Sequence, residues 1–304
     1  MNLQHFLADD QLNKAQLLEL IQLAIAIKTQ PEKYSQALAG KSVAMIFEKP
    51  SLRTHVSFDI GINKLGGHAL YLGQQNGKLG ERERVSDYAN NLSCYADAIV
   101  ARVFSHDSIS QLGQHANVPV INALCDLYHP CQALADFVTL AENFTELENV
   151  KLAYIGDANN VSNSLMLMAA TLGVDFTLVC PESHGPDEKM FNKALTLSQA
   201  SGAKLQLTHD MAAVGQQDAI YTDTWISMGD NSNIADILAT FKPYQVNHQV
   251  MEKAGASIVM HCQPAHLEEE ITTELFDSEM SVVFQSAENR MWAQNAVLVS
   301  LLAD

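Results

Sequence analysis

Short apolar runs alternate with longer stretches of helical period along most of this chain. Runs at 42–47, 68–72, 98–103, 118–122, 151–155, 174–179, 204–207, 218–222, 256–261 and 281–285 are rich in Val, Ile, Leu and Ala and predict β-strands. Segments at 52–65, 84–93, 130–144, 161–172, 187–201 and 287–302 follow with apolar residues three or four positions apart, and these predict helices. Apolar strands joined through helices form parallel sheets covered on both faces, so the expected fold class is α/β. At 304 residues the chain is long enough for two cores. The polar stretch 141–150 marks a crossover, giving an N-terminal domain over 1–140 and a C-terminal domain over 141–286. Each is expected to be a mainly parallel sheet with helices on both faces. The final helix is strongly apolar, so residues 287–304 are expected to pack back on the first domain.

Charge narrows the partners. Eighteen Lys and Arg stand against 35 Asp and Glu, a formal net charge of −17, which opposes nucleic acid or an anionic membrane as a partner. A small anion remains a suitable ligand where a few cations gather. Five cysteines without a C-x-x-C pair indicate neither a disulfide framework nor a zinc finger. The first residues lack a basic region followed by an apolar core, and no run approaches the roughly 18 apolar residues of a membrane span. The expected location is therefore the cytoplasm.

The residues with most chemical potential fall at the carboxyl ends of the predicted strands, the edge at which open α/β sheets bind ligands. Ser51-Leu52-Arg53-Thr54 follows the first strand and opens a helix, whose free N–H groups and dipole attract an anion. The hydroxyls of Ser51 and Thr54 add donors, and Arg53 adds a planar cation suited to phosphate. Arg102 ends a strand, and His129-Pro130-Cys131-Gln132 opens a helix. Asp157 to Asn160, Asp223 and His261-Cys262-Gln263-Pro264 each follow a strand in the second half. Singly, each has an ordinary explanation: a helix cap, a surface ion pair, a turn former, a small buried thiol. Their convergence on one kind of sheet edge is harder to explain that way.

Other nucleotide and hydrolase patterns do not fit. Gly156-Asp157-Ala158-Asn159 lacks the later glycines of a dinucleotide fingerprint. Gly73-Gln74-Gln75-Asn76-Gly77-Lys78-Leu79 resembles a phosphate loop but is one residue short between its glycines and has Leu79 where Mg²⁺ needs a hydroxyl. Neither H-E-x-x-H nor G-x-S-x-G occurs, so metallohydrolase and serine-hydrolase readings have no support. No cofactor and no metal are expected.

Taken in order, Phe47-Glu48-Lys49-Pro50-Ser51-Leu52-Arg53-Thr54, His129-Pro130-Cys131-Gln132-Ala133-Leu134-Ala135-Asp136, Asp223-Thr224-Trp225-Ile226-Ser227-Met228-Gly229, His261-Cys262-Gln263-Pro264 and Glu288-Asn289-Arg290 resemble the signature blocks of the ornithine carbamoyltransferases. The first two blocks would suggest the broader aspartate/ornithine carbamoyltransferase family, and the D-x-x-x-S-M-G block points to ornithine. The resemblance runs over essentially the whole chain. It implies transfer of the carbamoyl group of carbamoyl phosphate to the δ-amine of L-ornithine, giving L-citrulline and phosphate in arginine biosynthesis. It also implies a carbamoyl-phosphate domain followed by an ornithine domain, assembled as a homotrimer or a multiple of it.

The same resemblance implies roles. Ser51, Leu52 through its backbone, Arg53 and Thr54 would hold the phosphate, Arg102 and His129 would polarise the carbamoyl carbonyl, and Gln132 would accept from the carbamoyl NH₂. Arg290 would reach the carbonyl from the last helix, and Cys262 with Gln263 would also line the carbamoyl phosphate. Asn160, Asp223, Ser227 and Met228 would hold the α-substituents of ornithine, with Asp223 and Cys262 at its δ-amine. Gln75, in a loop that also carries Glu83, would reach the phosphate bound by a neighbouring subunit. Leu52 and His55 stand where S-T-R-T-R is common, and Gln263 stands where Leu is frequent. A putrescine or N-acylornithine carbamoyltransferase would keep the phosphate residues and alter the Asp223–Gly229 block, which is intact here. A carbamoyltransferase-like protein that only binds would show lesions at Arg53, Arg102, His129 or Arg290, and none is present.

Overall fold

The computed structural model, which describes residues 3–73, 77–226 and 233–303, divides into two units. One comprises Met1–Val138 with Glu288–Asp304, the other Thr139–Ala287. Each is built on a parallel sheet with flanking helices, and the expected α/β class is what the chain adopts.

In the first unit, helix α1 (Lys14–Thr29) precedes β1 (Ser42–Phe47), α2 (Leu52–Lys64), β2 (His68–Leu72), α3 (Val85–Ser93), β3 (Ala98–Arg102), α4 (His106–His115), β4 (Val120–Leu124) and α5 (Pro130–Asn143). Among the described residues the strands pair in the order β2-β1-β3-β4, all parallel. β1 and β3 occupy the middle and are buried almost throughout, which is why their sequences are continuously apolar. β2 lies at the edge and exposes His68, Leu70 and Tyr71. A chain that leaves β1 bends at Glu48 and Lys49 and enters α2 through Ser51, whose side chain accepts from Thr54 N. Sheet order thus places the ends of β1 and β3 side by side, with Phe47 in register with Arg102.

The second unit runs β5 (Lys151–Ile155), α6 (Asn160–Leu172), β6 (Asp175–Val179), α7 (Glu188–Ser201), β7 (Leu205–Thr208), β8 (Ala219–Thr222), α8 (Ile234–Phe241), α9 (His248–Ala254), β9 (Ile258–His261) and α10 (Thr273–Phe276). Its strands pair in parallel in the order β7-β6-β5-β8-β9. Consecutive strands pass outward from β5 to β7, then return to the other side of β5 as β8, so strand order reverses beside β5. Ligands bind outside the carboxyl ends at such a point. The core here includes Ala153, Ile155, Ile220, Val259 and Met251, all essentially inaccessible to solvent. Glycine at 173 ends α6 with a φ of 88°, the left-handed geometry that closes a helix without a Cβ penalty.

One predicted strand is replaced by a helix. Residues 281–285 were expected to extend, but only Ser281 bridges to Val259, and α11 (Val283–Leu302) begins two residues later. The run Val282-Val283-Phe284 is β-branched and aromatic, which favours a strand locally. Burial of Val283 and continuation of the helical period to Leu302 override that preference. The last helix therefore starts four residues before the expected 287. Other strand and helix ends fall within about two residues of expectation, the usual spread of such boundaries.

Candidate active site

In the first unit, Ser51, Arg102 and Arg290 bring their side chains to one hydroxyl, that of Thr54. Ser51 caps α2, and its Oγ lies 3.0 Å from Thr54 Oγ1. Arg102, the last residue of β3, donates from Nη1 to Thr54 Oγ1 at 3.3 Å. Arg290, on α11, donates from Nη2 to the same oxygen at 3.1 Å and from Nη1 to Gln132 Oε1 at 2.6 Å. Gln132, in the first turn of α5, in turn donates from Nε2 to Asp136 Oδ1 at 3.0 Å. Thr54, Arg102, His129, Gln132, Asp136 and Arg290 are all buried.

The electrostatics follow from that burial. Two guanidiniums sit beside His129, which is itself sequestered from water. Burial first, then the charges of Arg290 and Arg102, hold the His129 imidazole well below its ordinary pKa. It is therefore a neutral ring at physiological pH, able to offer a hydrogen bond without adding charge. Lys49 is shifted downward as well, by burial and then by Arg102, and its Nζ lies over the Phe104 ring at 4.7 Å from the centroid. In a chain of net charge −17 this is a concentrated cationic locality.

Arg53 is half-buried in the first turn of α2, whereas the Leu52 side chain is 75% exposed and leaves only its backbone facing the helix end. His55, at the position where the pattern usually has Arg, stacks on Tyr71 with ring centroids 4.1 Å apart and packs near Phe47. Gln75 lies outside the described residues.

In the second unit, Asp223 follows β8 and is 5% exposed. Its Oδ1 accepts from Thr224 N at 2.8 Å and from Cys262 Sγ at 2.9 Å, and its Oδ2 accepts from Asn159 Nδ2 at 3.0 Å. Asn160 is the first residue of α6 and is half-exposed at its N-terminus. Cys262 and Gln263 follow β9. Gln263 takes a left-handed φ of 60°, and its N–H donates to His261 Nδ1 at 2.8 Å. With Nδ1 accepting, the ring proton of His261 is on Nε2, which donates to Glu270 Oε1 at 3.0 Å. His266 N donates to the same oxygen. Burial, followed by the charges of Asp223, Asp157 and Cys262, raises the Tyr154 phenol well above its usual pKa, so it remains a donor. Ser227 and Met228 lie outside the described residues.

Asp223, His261 and Cys262 bring ligand-type atoms within 4.8 Å of one another. Their hydrogen bonds are already specific: both His261 nitrogens are engaged, and the Cys262 thiol points at Asp223. The set reads as a hydrogen-bonded relay rather than a ligand cage.

Sequence reasoning left four buried or anchoring groups without a role. Asp136 is one helical turn beyond Gln132, a spacing that places both on one face. Glu48 is buried and accepts from Leu79 N at 2.6 Å and Phe104 N at 2.8 Å, tying the loops after β2 and β3 together. Glu270 binds His261 and His266 within its own loop, and Asn159 binds Asp223, 64 positions away; no helical or strand period marks either.

Comparison with known proteins finds relatives along nearly the whole chain. Residues 4–142 match the family described as "Aspartate/ornithine carbamoyltransferase, carbamoyl-P binding domain", and residues 148–301 match "Aspartate/ornithine carbamoyltransferase, Asp/Orn binding domain". The chain is 59% identical to the ornithine carbamoyltransferase of Shewanella oneidensis over 301 residues, covering 99% of this chain and 100% of that one. It is 53% identical to that of a Vibrio species, again covering 99% and 100%. The solved structure of ornithine carbamoyltransferase from Pyrococcus furiosus superposes with a TM-score of 0.94 at 41% identity, over 98% of this chain and 97% of that one.

Proposed function

The chain belongs to the aspartate/ornithine carbamoyltransferase family, and from that premise we propose that it transfers the carbamoyl group of carbamoyl phosphate to the δ-amine of L-ornithine, producing L-citrulline and phosphate. The observation that carries the reading is the meeting of Arg102 and Arg290 at Thr54, at the N-terminus of α2. Two fixed guanidiniums, a helix N-terminus and two hydroxyls form a receptor for a phosphorylated carbonyl compound.

The first unit holds carbamoyl phosphate. Ser51, Arg53, Thr54 and the Leu52 N–H bind its phosphate. Arg102, Arg290 and neutral His129 face the carbonyl oxygen, and Gln132 accepts from the carbamoyl nitrogen. Because Arg290 and Asp136 fix both ends of the Gln132 amide, its acceptor oxygen has a set direction. The second unit holds ornithine through Asn160, Asp223, Ser227 and Met228, with Asp223 and Cys262 at the amine; Cys262 and Gln263 also line carbamoyl phosphate.

The reaction then needs few protein groups. The amine lone pair attacks the carbamoyl carbon, a C–N bond forms, and the carbonyl electron pair moves onto oxygen. Cations and donors placed beforehand stabilise that oxyanion. Its collapse breaks the C–O bond to phosphate, and the amine proton leaves with the phosphate dianion. A free alkyl ammonium has a pKa near ~10.4, so only roughly one molecule in 10³ is neutral at pH 7, a penalty of about 4 to 5 kcal/mol. A desolvated site near cationic groups lowers it, and Asp223 orients the amine. No cofactor and no covalent enzyme intermediate enter this scheme. Cys262 accordingly serves as a contact to Asp223 and substrate rather than as a nucleophile.

We also propose a cytoplasmic homotrimer, or a multiple of it, working in arginine biosynthesis. All five cysteines are free thiols, and among the described residues no helix is long and apolar enough to cross a membrane. Leu52, Val56 and Ile60 recur every fourth residue on α2 and are exposed, as are Leu70 and Tyr71 on the edge strand β2. An apolar face of this kind is suited to burial against another subunit. Gln75 would then reach the phosphate held by a neighbour.

Colorimetric measurement of citrulline from purified protein, carbamoyl phosphate and ornithine tests the reading, with putrescine and N-acetylornithine in parallel. Product with ornithine alone is expected. Turnover of either alternative amine at a comparable kcat/KM would reassign the substrate.

A further inference from the structure

We propose that Asn159 is a positioning residue, holding the Asp223 carboxylate in the orientation that the substrate amine meets. This deepens the reading above and rests on the role given there to Asp223. Asn159 is the N-cap of α6, where its Oδ1 accepts from Val161 N at 2.9 Å and Ser162 N at 3.2 Å. The Tyr154 hydroxyl reaches the same oxygen at 3.4 Å. A cap needs only an acceptor, and Ser or Asp supplies one about as well as Asn. Neither supplies a second, donating arm. In Asn159 that arm is Nδ2, and it lies 3.0 Å from Asp223 Oδ2.

The amide cannot be turned over without losing its bonds at both ends. Helix N–H groups require its oxygen on the α6 side, which leaves Nδ2 toward Asp223. The terminal torsion of an Asp side chain is broad and roughly two-fold, so a carboxylate bonded on one oxygen only can swing. Thr224 N and the Cys262 thiol hold Oδ1, and Asn159 holds Oδ2. Donors on both oxygens fix the plane of the group. Asn159 thereby joins two structural facts, the start of α6 and the end of β8, through one planar amide. Asn160, the neighbouring residue, makes a separate claim as a ligand contact.

Three variants separate the cap from the clamp. Asn159→Ser keeps an acceptor for the helix and loses the donor. Asn159→Asp keeps the cap and turns a carboxylate toward Asp223. Asn159→Ala loses both. Melting temperature should fall by about 2–4 °C in Asn159→Ala and stay close to wild type in Asn159→Ser, whereas Asn159→Asp should also fall because two carboxylates then meet at a buried position. The ordering of turnover should differ. We expect kcat/KM for ornithine to drop roughly tenfold in Asn159→Ser and roughly a hundredfold in Asn159→Asp, with carbamoyl phosphate affinity by calorimetry unchanged. Activity that follows melting temperature, with the Ser variant near wild type in both, would reduce Asn159 to a helix cap and overturn the proposal.

A second readout does not depend on turnover. Alkylation of Cys262 by iodoacetamide, resolved by peptide mass spectrometry, can be scaled to exposed Cys94 in the same molecule. A second carboxylate beside Asp223 disfavours the thiolate, so Asn159→Asp should slow Cys262 by about fivefold relative to Cys94. An unchanged ratio would also overturn the proposal. If wild-type protein made no citrulline, the proposed activity would fall, while the alkylation ratios would still decide whether Asn159 controls Asp223.

Discussion

Arg102 and Arg290 donate to a single oxygen, the hydroxyl of Thr54, at 3.3 and 3.1 Å. Two buried guanidiniums this close repel each other, so their arrangement costs stability unless an anion is the intended neighbour. Arg290 does more than supply charge. Its planar fork spans Thr54 and Gln132, the residues proposed for the phosphate and for the carbamoyl group. A lysine ammonium is a point charge and cannot span both. Arg290→Lys should retain the fold and lower kcat by roughly 10² to 10³, the loss typical of one preorganised donor. Steady-state citrulline formation with carbamoyl phosphate varied would check this, and a loss below about threefold would count against the assignment.

His129 gives a pH prediction whose sign is fixed by its environment. Its folded pKa is depressed, chiefly by burial and then by Arg290 and Arg102, while the unfolded chain titrates near 6.5. The unfolded state therefore binds more protons than the native state as pH falls below about 6.5. Stability from this group is fully present above that value and is lost on acidification toward the folded pKa. The contribution to the slope is at most about 1.4 kcal/mol per pH unit for one proton. Urea unfolding at pH 7.5, 6.0 and 5.0 should show a shallower acid dependence in His129→Gln than in wild type. Equal slopes would mean that His129 does not stay neutral in the folded protein.

The two units were legible from pattern alone because their central strands are buried on both sides. β1, β3 and β5 read as apolar runs, and the chemistry at their carboxyl ends follows from the parallel arrangement. Helix α11 was less legible at its start, since Val282, Val283 and Phe284 favour extended structure until long-range packing decides otherwise. Site residues within one motif were visible. Supporting residues were not: Asp136 stands in the His129 block without a role there, although its one-turn spacing from Gln132 is a local signal that could have marked it. Asn159 and Asp223 are 64 positions apart, and their hydrogen bond depends on β5 and β8 being neighbours. Sheet order of that kind is not written in any local stretch.

Asp223→Asn should separate the two substrates. The carboxylate accepts three hydrogen bonds within the second unit, and an amide can reproduce the acceptor role at one oxygen only. At the other position an NH₂ would face a donor, either Asn159 Nδ2 or the Thr224 N–H and Cys262 thiol. Ornithine use is expected to fall by about a hundredfold or more, with carbamoyl phosphate binding nearly intact by isothermal titration. Equal collapse of both would show that the first unit depends on Asp223, contrary to the proposed division of labour.

The trimer proposal can be tested at the outer face of α2. Val56 and Ile60 are 42% and 45% exposed, one turn apart on the same face as Leu52, and nothing in the first unit's core requires them to be apolar. Glutamates there would place charges where an apolar subunit contact is proposed, at little cost to a monomer. Val56→Glu combined with Ile60→Glu should sediment as a 33.3 kDa species instead of three times that mass, and should lose activity if Gln75 acts across subunits. A complementary test mixes Gln75→Ala and Arg53→Ala proteins, each inactive alone. Dissociated and reassembled together, some sites would draw an intact Arg53 from one chain and an intact Gln75 from another, since a ring of heterologous contacts gives every site two donors. Partial recovery of citrulline formation is expected. Mixed trimers verified by mass-tagged subunits yet as inactive as either parent would place each site within one chain and remove the functional need for assembly.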